Sequence, residues 1–141
     1  MQTTIIEQPA LRLITAKAAT FPGDTSGAFQ VLESRLTTLK GRKMYGLVYG
    51  SADGLEYYAG LVPENEAEEL AFGMPIIEVP AGLCVRRKLE NWMDHTNQIG
   101  VIFDEMIREH GMDRSRPTME YYRSAQELHL LVPIERKPVA T

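Results

Sequence analysis

Glu56, Glu78 and Glu120 are the acidic residues whose neighbours give them chemistry to do. Glu56 sits beside Tyr57 and Tyr58, Glu78 precedes the Val79-Pro80 bend, and Glu120 leads into Tyr121 and Tyr122. Residues two apart on a strand share a face, so Glu120 and Tyr122 should point the same way. A carboxylate on the inner face of a sheet is costly without a partner, and its pKa should rise. An organic cation restores that partner, while flat rings gain by stacking on tyrosine or tryptophan. Cation–π attraction to a desolvated ring contributes about 2 kcal/mol, on top of about 25 cal/mol for each Å² of apolar surface buried. One charge requirement plus non-directional apolar contact would give broad specificity.

The chain has six tyrosines and one tryptophan to line such a space. Tyr45, Leu47 and Tyr49 share one strand face, as do Leu55, Tyr57 and Ala59 on the next strand, with Tyr58 opposite. Trp92, just ahead of a helix, can form a wall or lid. The candidate ligand-binding residues are therefore Glu120, Tyr122, Tyr45, Tyr49, Tyr57 and Trp92, with Glu78 and Glu56 as alternative anchors. The competing reading is core packing for each ring and a solvent-facing position for Glu56 and Glu78. A surface position or a structural salt bridge is the competing reading for Glu120.

Other reactive residues point to no further chemistry. His129 reads as a half-exposed strand histidine, and His110 suits the electrostatics of a helix C-terminus. His95 with Asp104 and Glu105 lacks a zinc-helix spacing, so neither a metal nor a cofactor is expected. Cys84 reads as a packed strand thiol. The sequence has no glycine-rich nucleotide loop and no Gly-x-Ser-x-Gly turn.

The elements that must position these residues read twice in the same order. Residues 5–18 are extended and punctuated by Pro9; Phe21-Pro22-Gly23-Asp24 is a turn, with Asp24 or Thr25 as a cap. Phe29, Leu32, Leu36 and Leu39 predict a helix over 25–40. Strands at 44–49 and 55–62 flank the link Gly50-Ser51-Ala52-Asp53-Gly54. Residues 63–73 read as an acidic connector with at most one helical turn. A long strand at 74–89, bent at Pro80-Ala81-Gly82, precedes a helix over 95–110 and strands at 117–123 and 127–134. The fold class is thus α+β: duplicated strand–helix–strand–strand units forming antiparallel sheet with two helices on one side. One domain is expected over 1–141, with halves at 1–62 and 74–135 and the ligand at their seam.

Composition narrows the function class. The 141 residues are 44% hydrophobic and 24% charged with a net charge of −4, an ordinary globular balance. Duplex-binding modules carry a basic stripe. Here the dense patches Lys40-Gly41-Arg42-Lys43 and Arg86-Arg87-Lys88 are short and read as solvated rims, so no direct nucleic-acid contact is expected. A single cysteine suits a cytoplasmic protein, and no apolar run reaches the ~18–20 residues of a membrane span.

Ile77-Glu78-Val79-Pro80-Ala81-Gly82, then Pro117-Thr118-Met119-Glu120-Tyr121-Tyr122, then Leu131-Val132-Pro133-Ile134 resemble the spaced signature of the GyrI-like family. These are effector-binding domains of AraC-type and MerR-type multidrug regulators. The resemblance runs from the first strand to Ile134 and matches free-standing members. It implies binding of cationic, lipophilic, multi-ring compounds, with Glu120 as the motif glutamate and Tyr122 as the motif tyrosine. Tyr121 replaces an aliphatic residue of the pattern, which could narrow or re-route the cavity. The resemblance also implies two alternatives: a hydrolase of reactive polycyclic compounds using the same pair, and a topoisomerase-inhibiting interaction protein. A separate regulator protein or a second copy of the chain would then be the macromolecular partner.

Overall fold

In the computed structural model, which describes residues 2–21, 23–51 and 54–136, proline breaks and glycine turns divide the chain much as the sequence pattern predicts. The first half comprises β1 (Thr3–Gln8), β2 (Leu11–Lys17), α1 (Thr25–Glu33), β3 (Met44–Ser51) and β4 (Gly54–Leu61). After α2 (Glu66–Phe72) come β5 (Ile76–Val79), β6 (Gly82–Glu90), α3 (Ile99–His110), β7 (Thr118–Tyr122) and β8 (Glu127–Pro133). The predicted turn residue Pro22 and the hairpin tip Ala52-Asp53 lie outside the described residues.

The strands form one antiparallel sheet in the order β1-β6-β8-β7-β3-β4-β2-β5. Only Pro9 and Ala10 separate β1 from β2, yet these strands lie near opposite ends of that order. Successive Cα atoms are about 3.8 Å apart, so the sheet must curl until its ends approach. Pro80-Ala81 makes the matching break between β5 and β6. Three strand pairs join the two halves: β3–β7, β1–β6 and β2–β5.

Register decides which residues share a face. Gly46 stands opposite both Ala59 of β4 and Glu120 of β7, and Glu120 opposite Leu130 of β8. On this face α1 buries Ala28 and Leu32 against Ile14, Tyr57, Ala59 and Leu61. On the same face α3 buries Ile102 and Met106 against Val85, Leu128 and Leu130. Among the described residues the reverse face carries no helix, but the curl closes it over Leu13, Leu47, Cys84, Met119 and Leu131.

Three α-helices occur among the described residues where the sequence predicted two. The expected connector at 63–73 contains α2, because both of its ends are capped. Asn65 Oδ1 accepts from the Glu68 amide at 2.9 Å, and Gly73 closes the helix in the left-handed region at φ 62°. Glu66, Glu68 and Glu69 favour the positive end of the helix, and Arg12 holds Glu69 at 2.8 Å. Asn65→Ala should lower stability by about 1 kcal/mol, read as a reduced urea midpoint at unchanged m-value.

Helix α1 ends at Glu33, short of the predicted residue 40. The Ser34 hydroxyl donates to the Val31 carbonyl, and the Arg35 and Leu36 amides bond carbonyls three residues back, a tightening that ends the helix. Leu39 is consequently half exposed rather than part of the buried stripe. Helix α3 starts at Ile99 rather than residue 95, after single 3₁₀ turns at Trp92–Asp94 and Thr96–Gln98. Among the described residues no helix is long and apolar enough to cross a membrane.

Candidate ligand-binding site

Glu120 lies mid-strand in β7, flanked by β3 and β8, and its residue is only 7% exposed. Two hydroxyls hold it. Tyr57 donates to Glu120 Oε1 at 2.6 Å and Tyr122 donates to the same oxygen at 2.9 Å, with the hydroxyls 3.3 Å apart. Glu120 Oε2 takes no hydrogen bond from the described residues. The space for this cluster comes from Gly46, where a Cβ would overlap the Tyr57 hydroxyl and the Glu120 carboxylate.

Rings enclose the hydroxyls. Phe21 stacks on Tyr57 at 5.2 Å, and Phe29 of α1 meets Tyr122 edge-on at 5.1 Å. Trp92 also meets Tyr122 edge-on at 5.2 Å, its indole N–H donating to the Ser124 carbonyl at 3.1 Å. Between α1 and the Trp92 turn opens a cleft of about 540 Å³, lined in part by Phe29, Met44, Trp92, Met93 and Tyr122. Glu120 lies behind Tyr122 rather than on the cleft wall.

Among the described residues no cation offsets the buried acid. Arg42 lines the cleft, but its guanidinium is committed to Glu68 and to the Val62 carbonyl. Burial therefore pushes the Glu120 carboxyl above the usual carboxylate range, against the pull of the two tyrosine hydrogen bonds. Burial, then the adjacent carboxylate, pushes the Tyr57 and Tyr122 hydroxyls well above the ordinary phenol value. Both hydroxyls stay protonated at neutral pH and serve as donors.

The structure brings together four of the six sequence-chosen residues: Glu120, Tyr122, Tyr57 and Trp92. Tyr45 and Tyr49 are not brought to this cluster. Alternation along β3 puts them opposite to Gly46, and hence opposite to Glu120. Tyr45 stacks on Tyr121 at 4.8 Å and Tyr49 meets Tyr58 edge-on at 5.8 Å, both on the reverse face. Tyr121 faces the same way as Tyr45, so it neither narrows nor re-routes the cleft beside Glu120.

The alternative anchors are paired elsewhere, Glu78 exposed and Glu56 half-buried. Glu78 bonds Arg12 at 2.6 Å, while Glu56 accepts from Tyr58 and pairs with Lys17. His129, expected half exposed, is buried at 8% exposure and bonds Glu127 at 2.6 Å. Within the predicted basic rims, Arg87 is buried and pairs with Glu105 and Glu109, just as Arg42 pairs with Glu68. Cys84 is buried, and burial raises its thiol pKa. Phe21, Phe29 and Gly46 belong to the site but were not singled out for it. Phe29 had been assigned to the helix stripe, and nothing in the sequence ties Gly46 to Glu120.

Solved structures share this architecture. SAV2435 bound to tetraphenylphosphonium superposes with a TM-score of 0.68 at 15% identity, covering 96% of this chain and 94% of that one. The fold is GyrI-like. The C-terminal domain of EcmrR matches at a TM-score of 0.60 and 12% identity, over 96% of this chain and 98% of that one. A hydrolase from Listeria innocua matches at 0.58 and 13%, over 95% and 92%. A scan against protein-family models and a search of curated proteins gave no match.

Proposed function

We propose that the chain is one ligand-binding domain for lipophilic aromatic cations, seated in the cleft between α1 and the Trp92 turn. The observation that carries this reading is Glu120: a carboxylate 7% exposed whose partners are two hydroxyls, with no cation beside it. A bound cation would supply the missing opposite charge at Oε2, and its rings would stack among Phe29, Trp92 and Tyr122. Reaching the carboxylate requires the Tyr122 ring to shift, so the ligand exchanges one hydroxyl contact for a charge contact. Tetraphenylphosphonium, the ligand of the neighbour SAV2435, has the required shape and charge.

The test uses two ions of one shape and opposite charge. Because Trp92 is the chain's one tryptophan, its emission reports on the cleft. Tetraphenylphosphonium should quench it saturably and raise the melting temperature, as a ligand selective for the native state does. Tetraphenylborate should do neither at matched concentration. Equal responses to both ions would remove the charge from the mechanism.

Catalysis is a second reading, because an elevated glutamate beside two phenols resembles a general base with proton donors. The same geometry argues against it: hydroxyls held well above the ordinary phenol value are poor acids. Product release from a reactive polycyclic epoxide, abolished by Glu120→Gln, would restore the catalytic reading.

A further inference from the structure

The helix-free face has an opening of its own. A second cleft, of about 410 Å³, lies beside the stacked Tyr45–Tyr121 pair, with Leu131 and Ile6 among its apolar walls. Three cationic residues line it: Lys43 just before β3, Arg86 of β6 and Arg123 just after β7. Among the described residues no carboxylate lines it. Glu127 is close enough to act on Arg123, and it is already hydrogen-bonded to His129.

These cations differ from the arginines that hold the fold together. Arg12, Arg42, Arg87 and Arg116 each reach a carboxylate within hydrogen-bonding distance. Among the described residues, the side chains of Lys43, Arg86 and Arg123 make no hydrogen bond or ion pair. In a chain of net charge −4, three cations with no hydrogen-bonded carboxylate around one aromatic-walled cleft repel each other and lower the free energy of an anion placed there. The arginine forks match a planar carboxylate, and the stacked tyrosine pair matches a flat ring.

We propose that this cleft is a second ligand site, for aromatic carboxylates, on the sheet face opposite Glu120. The acid group would meet Arg86 and Arg123, with Lys43 adding charge, and the ring would lie against Tyr121 and Leu131. The protein would then hold ligands of opposite charge on its two faces.

The probe is 2-naphthoate, measured by titration calorimetry and by backbone-amide chemical shifts on the full chain. Saturable binding should weaken at least tenfold for the neutral analogue 2-naphthamide, and at least tenfold for naphthoate in the double variant Lys43→Ala/Arg123→Ala. Both replaced residues are exposed, so that variant should fold. Shifts should cluster at Tyr45, Tyr121 and Leu131, and Glu120→Gln should leave naphthoate affinity unchanged. Equal affinity for acid and amide, an unaffected double variant, or shifts confined to Phe29 and Trp92 would overturn the proposal. Each of these results is independent of whether tetraphenylphosphonium binds the first cleft.

Discussion

Glu120→Gln is expected to weaken tetraphenylphosphonium binding by about 10–100-fold, or about 1.4–2.8 kcal/mol. Opposite charges some 4 Å apart attract by about 4 kcal/mol at an effective dielectric of 20, and desolvating the ligand cancels part of that. Gln keeps the shape and can still accept from Tyr57 and Tyr122, so apolar contact survives and only the charge is lost. Titration by Trp92 quenching measures the change; a shift below threefold would exclude Glu120 as the anchor. In the parent protein, cation affinity should fall as the solution is acidified through the raised Glu120 pKa. The Gln form should show a flatter profile.

The same substitution carries a stability signature that needs no ligand. Glu120 titrates higher in the folded chain than its ordinary value of 4.5, because burial disfavours the charged form. Between those two values the native state holds more protons than the unfolded chain. The contribution of Glu120 is therefore fully present below 4.5 and is lost as pH rises through the folded-state value. Gln has no proton to lose. The melting temperature of Glu120→Gln relative to the parent should thus climb with pH across that window and level off above it. A difference independent of pH would show that the carboxyl is not displaced from its ordinary range.

The second large effect belongs to a residue with no side chain. Gly46→Ala should cost on the order of 3–5 kcal/mol, combining overpacking of about 1–3 kcal/mol with a disrupted buried hydrogen bond of similar size. The new methyl would overlap the Tyr57 hydroxyl, and Tyr57 is 1% exposed and pinned by Phe21 and Phe29. At this chain length the melting temperature should drop by about 10 °C or more. Gly50→Ala on the same strand is the control, since nothing lies within 4 Å of its added Cβ. Tyr57→Phe in the Gly46→Ala background removes the clashing oxygen and should recover part of the loss. Equal effects at positions 46 and 50 would refute the argument.

Much of the frame was legible in the residues. Pro9 and Pro80 announced the two broken strands, and the repeated element order announced the paired halves. The carboxylate that proved buried was the one the family resemblance had selected. What alternation cannot supply is the phase between neighbouring strands. It says that Tyr45 and Tyr49 share a side, but only the β3–β7 register says that Gly46, not Tyr45, faces Glu120. The same limit hid the partnership of Tyr57 with Glu120 across 63 positions. The α2 signals, Asn65 and Gly73, were present but masked by a run of acids that lacks an apolar stripe. Leu39 misled in the opposite sense, matching a helical period by accident.

The exchange of long strands between the halves sets how the chain can be assembled. Thr3 pairs with Arg87, 84 positions later, and Leu11 with Val79. Neither half can complete its own ladder, so a nascent chain released up to residue 62 has an orphan first strand and nothing to zip it to. Chains dominated by such distant pairings cross their folding barrier slowly. Folding during synthesis should therefore be a late event, because β1 meets its partner only once β6 has emerged.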